Sequence, residues 1–408
     1  TGPIGAAPLG WAFVVVAALP LIIGSRWRLG AATRLWMVAL ACWAVVVVGG
    51  RGWLPFPVPS PEIVLAPAAV ALALSAGLGR VAFESDLPGY RLGLRQVGSL
   101  LAASALVAGV VPVAVAALDG QWLLPRHDLG GLLVFTKGEK AKGSFRILWA
   151  GDPEALPFDG WHLSDGLAYG TTIDGAGDAT GLWPAPDDGA THLLADGLGL
   201  ATSAHTSRLG HLLAPMAVRY IVVPRRVAPA AKHVAALPVP PALTRALDSQ
   251  IDLRPVESDD SLVVYENAAW IPGRALLTTA AARQAASRGA LAAEQTDLAG
   301  SRPALTKGAG TFAATGPVRS GDRVFVSQSS DARWQLTSGG RAAARADAFG
   351  WANQFSVSSS GHGRLHYRTP ATRYLSIVIE LALWLLAVRH VATARRHDRD
   401  PSPQPAQP

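Results

Sequence analysis

Two kinds of hydrophobic pattern share this 408-residue chain. At both ends apolar residues run on without a period. In the middle they come in short periodic groups broken by glycine, proline and aspartate. A helix that crosses a bilayer needs ~20 mostly apolar residues. Five segments approach that requirement: residues 9–25, 35–50, 63–78, 97–118 and 374–388. Prolines at 20, 67 and 112 interrupt three of them. Glu380 lies inside the fifth, either facing a neighbouring helix, or near an end, or with a function of its own. Between the second and third runs, "RGWLPFPVPSP" alternates proline with aromatic residues, which excludes a helix. It reads as a loop with Trp53 and Phe56 at the membrane interface, or as a ligand-lining loop.

The middle divides in two. "SFRILWAGDP" reads as a buried strand stopped by a turn, and Tyr220 to Val223 as another, closed by Pro224, Arg225 and Arg226. Residues 261–265 give a third strand, with turns expected at Glu266-Asn267 and Pro272-Gly273. "ATHLLADGLGLATSAHTSRLGHLLAPM" has helical spacing, with a break expected at Gly197 and Gly199. Strands alternating with helices predict an α/β unit over 119–275. An Ala-rich connector with one weak helix follows at 276–308. From 309 to 370 the period becomes two: Val324 and Val326, Trp334 and Leu336, Phe355 and Val357, Leu365 and Tyr367, with turns at Gly339-Gly340 and Gly361. That spacing predicts a β-sandwich or jelly roll. The fold class expected is therefore a membrane protein. It has an α-helical transmembrane bundle of about five spans, four of them in residues 1–118 and one at 371–390. An extracytoplasmic α/β unit and a β-sandwich lie between them.

Composition agrees with this division: 50% of residues are hydrophobic, 16% are charged, and there are 13 tryptophans. The net charge of +7 places arginines beside apolar runs rather than in a patch interleaved with aromatics, which argues against nucleic acid as a partner. Cys42 is the only cysteine, so neither an intrachain disulfide nor a multi-cysteine zinc site can form. The first ten residues, "TGPIGAAPLG", have no basic n-region and read as the start of a fragment of a longer membrane protein rather than a signal peptide. Arginine placement sets the orientation. Arg26, Arg28 and Arg34, then Arg80, Arg91 and Arg95, then Arg389, Arg395, Arg396 and Arg399 all fall on one side of five spans, whereas the loop at 51–62 holds only Arg51. By the positive-inside rule that side is cytoplasmic. Residues 119–373 then face outward from the plasma membrane, and the Pro-rich tail at 391–408 is a disordered cytoplasmic segment. The loop at 79–96 reads as a solvated, charge-balanced face or as a contact for lipid phosphate or a cytoplasmic partner.

No nucleophile elbow, P-loop, dinucleotide fingerprint or HExxH is present. Acidic residues and a histidine gather in "GDPEALPFDGWHLSDGLAYGTTIDGAGD": Asp152, Glu154, Asp159, His162, Asp165, Asp174 and Asp178. Two carboxylates could act as acid and base on a glycosidic bond, or oxygens could hold calcium, or Asp and Gly could simply make turns. D-x-D-x-D-G spacing is absent, so no metal site is assigned. Trp161, Tyr169 and Trp183 flank the loop, to stack on sugar rings or to cap the core. The candidate glycan-binding set is Asp152, Asp159, Trp161, His162, Asp165, Tyr169 and Trp183. No cofactor is expected.

The segments "FRILWAGDPEALPFDGW", "LSDGLAYGTT", "RLGHLLAPMAVRYIVVP", "SLVVYENAAWIPGRAL" and "AFGWANQF…GRLHYRTPATR" together resemble the C-terminal half of large actinobacterial envelope glycosyltransferases. In these a cytoplasmic family 2 glycosyltransferase domain precedes many spans and an outward domain. The "VRYIVVP…VVYEN…PGRAL" pairing is also similar to membrane glycosyltransferases of the GT-C type, which use polyprenyl-phosphate sugars. The resemblance covers most of residues 79–390. It implies an envelope glycosyltransferase portion that binds or positions a glycan or lipid-linked acceptor, with catalysis mainly upstream. Partners implied are membrane lipid, a polyprenyl-linked sugar or cell-wall glycan, and an upstream glycosyltransferase domain. The chain lacks a DxD-bearing nucleotide-sugar domain and the acidic first outward loop of GT-C enzymes, so no catalytic residue carries over. The alternative is a non-catalytic envelope scaffold or glycan-binding protein; a transporter is a third reading, against which spans one to four show no charged pathway.

Overall fold

The computed structural model describes residues 7–51, 53–54, 58, 61–86, 100, 104, 107, 129–153, 155–158, 160–164, 166–175, 177, 189–226, 236–287, 289–308 and 311–397. Among the described residues three helices are long and apolar enough to cross a membrane: one within α2 (Arg26–Gly50), one within α3 (Pro61–Asp86) and one within α10 (Ala371–His397). A shorter apolar helix, α1 (Ala7–Ile23), packs on α3 through Leu19, Ile23 and Ala82. The indole of Trp36 and the hydroxyl of Ser75 both donate to the Ala17 carbonyl, at 2.9 and 2.7 Å. This lies within a turn of Pro20, where side chains of neighbouring helices satisfy backbone groups that lipid cannot. The basic stretch 26–34, expected as a loop, is instead the first two turns of α2, separated from α1 only by Gly24-Ser25. Leu, Ala, Arg and Trp propagate a helix readily, so charge alone does not end it. The run at 97–118 falls almost wholly outside the described residues. No side chain of the apolar stretch Ala371–His390 is buried, the exposure a lipid-facing helix has.

The body is β-sheet-rich. A six-stranded sheet has the order β2-β3-β1-β4-β6-β5, from β1 (Arg146–Gly151), β2 (Trp161–Ser164), β3 (Leu167–Ile173), β4 (Val218–Pro224), β5 (Leu253–Val256) and β6 (Leu262–Asn267). Only β1 and β4 are parallel. A short helix, α4 (Leu129–Leu132), precedes β1, the β1–β4 crossover carries α5 (Gly189–Thr202) and α6 (Leu209–Leu213), and α7 (Pro241–Asp248) lies between β4 and β5. Residue faces follow the strand period. Ile147, Trp149, Tyr220, Val222 and Val264 enter one core with Leu133 and Phe145, while Leu148, Ala150, Ile221 and Val223 enter a second, under the helices. The helix break expected at Gly197 and Gly199 does not occur. Both glycines lie inside α5, and a Cβ at Gly197 would only reach ordinary contact with Leu209 and Leu212, 3.7 and 3.8 Å away. An alanine would fit there as well, so α5 continues through these glycines without requiring them. Likewise Glu266 and Asn267, expected in a turn, are the last residues of β6.

Two further sheets pack face to face. The five-stranded one has the order β13-β14-β10-β7-β8 and includes β7 (Arg274–Leu277), β8 (Arg302–Pro303), β10 (Arg323–Val326), β13 (Ala344–Ala348) and β14 (Ala352–Ser356). The four-stranded one has the order β12-β11-β15-β9, with β9 (Ala313–Val318), β11 (Trp334–Ser338), β12 (Arg341–Ala342) and β15 (Gly361–Tyr367). Val324, Val326 and Phe355 from one sheet meet Ala314, Val318, Trp334, Leu336 and Leu365 from the other. The two-residue hairpin β11–β12 needs positive φ at both loop positions, and Gly339 and Gly340 supply 56° and 76°. The other face of the five-stranded sheet, through Ala275, Leu277, Phe325 and Ala352, joins the helix-covered core of the six-stranded sheet. A boundary at 275/276 therefore cuts through β7, which belongs to the sandwich. The connector carries two short helices, α8 (Thr279–Gln284) and α9 (Ala290–Gln295), whose Ala281, Ala282, Ala285 and Ala293 are buried in the same core.

Candidate functional site

Of the glycan-binding candidates, four lie among the described residues: Asp152, Trp161, His162 and Tyr169, on or next to strands β1, β2 and β3 of the six-stranded sheet. Asp152 follows β1 directly and is half-buried. Trp161 and His162 are the first residues of β2, the edge strand, and point to opposite faces by the strand period. Trp161 is half-buried, its ring 5.6 Å from that of Tyr169 at 34°, whereas His162 is exposed. Tyr169 is only 2% exposed, and its hydroxyl donates to the Thr191 carbonyl at 3.4 Å, tying β3 to α5. It is a core residue. The indole of Trp149 is likewise used internally: it donates to Thr172 Oγ1 at 2.9 Å, which donates to the Gly175 carbonyl at 2.6 Å. Asp159, Asp165 and Trp183, with Glu154 and Asp178, lie outside the described residues. Asp174 is drawn away from the set. Its carboxylate accepts from the Phe145 amide at 3.0 Å and pairs with Lys140 at 3.1 Å. Trp161, His162 and Asp152 are thus the described candidates that remain at least partly accessible.

Sequence reasoning missed three polar clusters, because their members are far apart in the chain. In the first, β4 carries an irregularity against β1: Arg146 pairs with Val218 and Ile147 with Tyr220, leaving Arg219 as the extra residue. The bulge puts Arg219 (4% exposed) under Trp270, the guanidinium carbon 4.5 Å from the ring centroid, and into ion pairs with Glu139 and Glu266. Hydrogen bonding from Lys142, followed by the charge of Arg219, holds the Glu139 carboxyl below its ordinary range. Burial pushes the neighbouring Tyr220 phenol up.

The second cluster surrounds the buried Asp252. Its Oδ2 accepts from the His211 amide at 2.9 Å and lies 2.8 Å from His211 Nδ1. Asn267, 0% exposed, donates to the carbonyls of Gly210 and Val218, both at 2.9 Å, and its own carbonyl oxygen accepts from the Ala269 amide. A Cβ on Gly210 would stand 2.3 Å from Asn267 Oδ1, so only glycine fits. A carboxylate that orients an imidazole is half of a hydrolytic triad. Among the described residues, however, no side chain hydrogen-bonds His211 Nε2, and Asp252 also ties down the backbone of α6. That makes the pair a brace between loops. In the third cluster, Asp331 binds Arg333 and accepts from the Tyr367 hydroxyl at 2.9 Å. Hydrogen bonding from Arg333 holds the Asp331 carboxyl well below the usual carboxylate range.

Among the described residues no group of three or more His, Cys, Asp or Glu side chains could hold a metal ion. Trp161 offers a partly covered aromatic face on one side of β2 and His162 an imidazole on the other, so these two side chains do not converge on one point. Comparison with protein-family models, with characterised proteins and with solved structures finds no match to this chain.

Proposed function

We propose that this chain is the membrane and extracytoplasmic portion of a cell-envelope glycosyltransferase that binds or positions a glycan or lipid-linked acceptor, with the transfer chemistry mainly upstream of these residues. In this reading about five spans cross the plasma membrane, arginine-rich segments face the cytoplasm, and the β-rich body, its last part of jelly-roll type, faces outward. The observation that carries the binding role is the edge strand β2. It holds the half-buried Trp161 beside Tyr169 on one face and the exposed His162 on the other. A tryptophan fixed by packing on one side offers its remaining surface to a sugar ring with little ordering cost.

The test is titration of the full chain in nanodiscs with a polyprenyl-phosphate-linked oligosaccharide. Replacing Trp161 by Ala should remove about 0.5–1.5 kcal/mol of binding, a roughly two- to tenfold rise in Kd, with a lowered thermal midpoint, since the ring also packs on Tyr169, but an unchanged circular dichroism spectrum. Equal Kd values for parent and variant, or no binding by the parent, contradict the reading. A second reading, a non-catalytic envelope scaffold, is favoured by the burial of Tyr169 and the internal use of the Trp149 indole. Glycan binding by full-length protein that never turns over lipid-linked sugar, even with the upstream domain present, would select it.

A further inference from the structure

Helix α10 leaves the sandwich through three residues: β15 ends at Tyr367 and α10 begins at Ala371. At that end of the sandwich three rings cluster. Phe312 stacks on Trp334 with centroids 6.4 Å apart at 15° and lies 5.8 Å from Tyr367, which is 5.1 Å from Trp334. Trp334 is buried, but Phe312 is 61% exposed, and its carbonyl accepts from the Tyr367 amide at 3.0 Å. Arg333 covers the Tyr367 ring at 5.0 Å, and the Arg368 amide donates to the Arg333 carbonyl at 3.0 Å. Arg373 sits in the first turn of α10, followed by the exposed Tyr374. Arg333, Arg368 and Arg373 are all exposed. An exposed aromatic, a tyrosine at the start of an apolar helix and a ring of arginines form the residue set of a membrane interface. Three linking residues span roughly 10 Å at most, so this end cannot stand far from where α10 enters lipid.

We propose that this end of the sandwich rests on the membrane that α10 enters. Phe312 sinks into the interfacial layer, and Arg333, Arg368 and Arg373 bind the phosphates of anionic phospholipid headgroups. The contact fixes the body's height and tilt above the bilayer. Asp331 aids it by holding Arg333 in place through the ion pair between them. The turn at Ser320 lies at the far end of β9, about 20 Å from Phe312, and serves as a built-in reference.

The experiment uses the full chain with Cys42→Ser and a single fluorophore on Ala313→Cys or on Ser320→Cys. It is read in nanodiscs whose lipids carry a nitroxide on the headgroup. The label at 313 should be quenched and the label at 320 should not. Quenching at 313 should deepen when phosphatidylglycerol replaces part of the phosphatidylcholine. Arg368→Gln with Arg373→Gln should lose that increment, and Phe312→Ala should reduce quenching in both bilayers. Equal quenching at 313 and 320, no response to phosphatidylglycerol, or a signal at 313 that answers only to added soluble polysaccharide overturns the proposal. Comparing the two labels changes neither Phe312 nor the arginines, so it stands even where a variant misfolds. A separate label at Leu383→Cys, read with acyl-chain nitroxides, reports whether α10 itself inserts, and so separates a failure of the helix from a failure of the contact.

Discussion

Tyr265 shows how one buried hydroxyl couples stability to pH. Its phenol donates to Asp248 Oδ1 at 2.7 Å, and burial, reinforced by that bond to a carboxylate, raises it above the ordinary tyrosine value. A proton held more tightly in the fold than in the unfolded chain stabilises fully below the unfolded value of about 10, and the benefit is lost as pH climbs through the folded value. The full chain in detergent should therefore lose thermal stability between pH 9 and pH 11 (roughly the range over which the unfolded phenol ionises) more steeply than Tyr265→Phe does; parallel profiles would show that the phenol is not held in this way. At this scale the sequence was least informative. Asp152, Trp161 and His162 stand out because they neighbour one another in the chain; Trp161 and His162 lie on the edge strand β2, whereas Asp152 follows the interior strand β1. Arg219, Asp252 and Asn267 gave no such sign. Their partners lie 41 to 80 positions away, and a buried polar residue looks like any other until the fold pairs it. Tyr169 shows the reverse case: an aromatic beside a polar loop that belongs to the core.

Among elements, the strands of the sandwich are the most legible, because inward and outward residues alternate and glycine turns at Gly339-Gly340 and Gly361 separate runs. Val324, Val326, Trp334, Leu336, Phe355 and Leu365 all enter one core. Helix boundaries are less legible, since glycine inside α5 and arginines inside α2 resemble breaks but lie within continuous helices. The Ala-rich connector reads as one weak helix because alanine carries no strong periodic signal, yet its Ala281, Ala282, Ala285 and Ala293 enter the helix-covered core. Helix α8 is capped by Thr278, whose Oγ1 accepts from the Ala281 amide at 3.1 Å. Thr278→Ala should cost about 1 kcal/mol of stability. A thermal midpoint equal to the parent's would mean that packing alone holds this helix.

For the whole molecule, Arg146 links the sheets. Its guanidinium donates to the Met216 carbonyl at 2.7 Å, to Ser327 Oγ at 2.8 Å and to the Ser327 carbonyl at 2.6 Å, joining the six-stranded sheet to the start of the sandwich. Arg146→Gln should lower stability by roughly 2 kcal/mol, since bonds to a charged donor are the stronger kind. It should also expose the connector at 278–308 to protease; an unchanged digestion pattern would show the layers held by their apolar core alone. Apolar runs at both ends mark the helices of α2, α3 and α10 that are long and apolar enough to cross a membrane.

What the proposed account requires above all is that the β-rich body between those helices lies outside the cytoplasm. The direct measurement places a single cysteine at Ser320 in a Cys42→Ser background and adds a membrane-impermeant maleimide to intact spheroplasts and to inverted vesicles. The account predicts labelling in spheroplasts and protection in inverted vesicles. Labelling confined to inverted vesicles would contradict it.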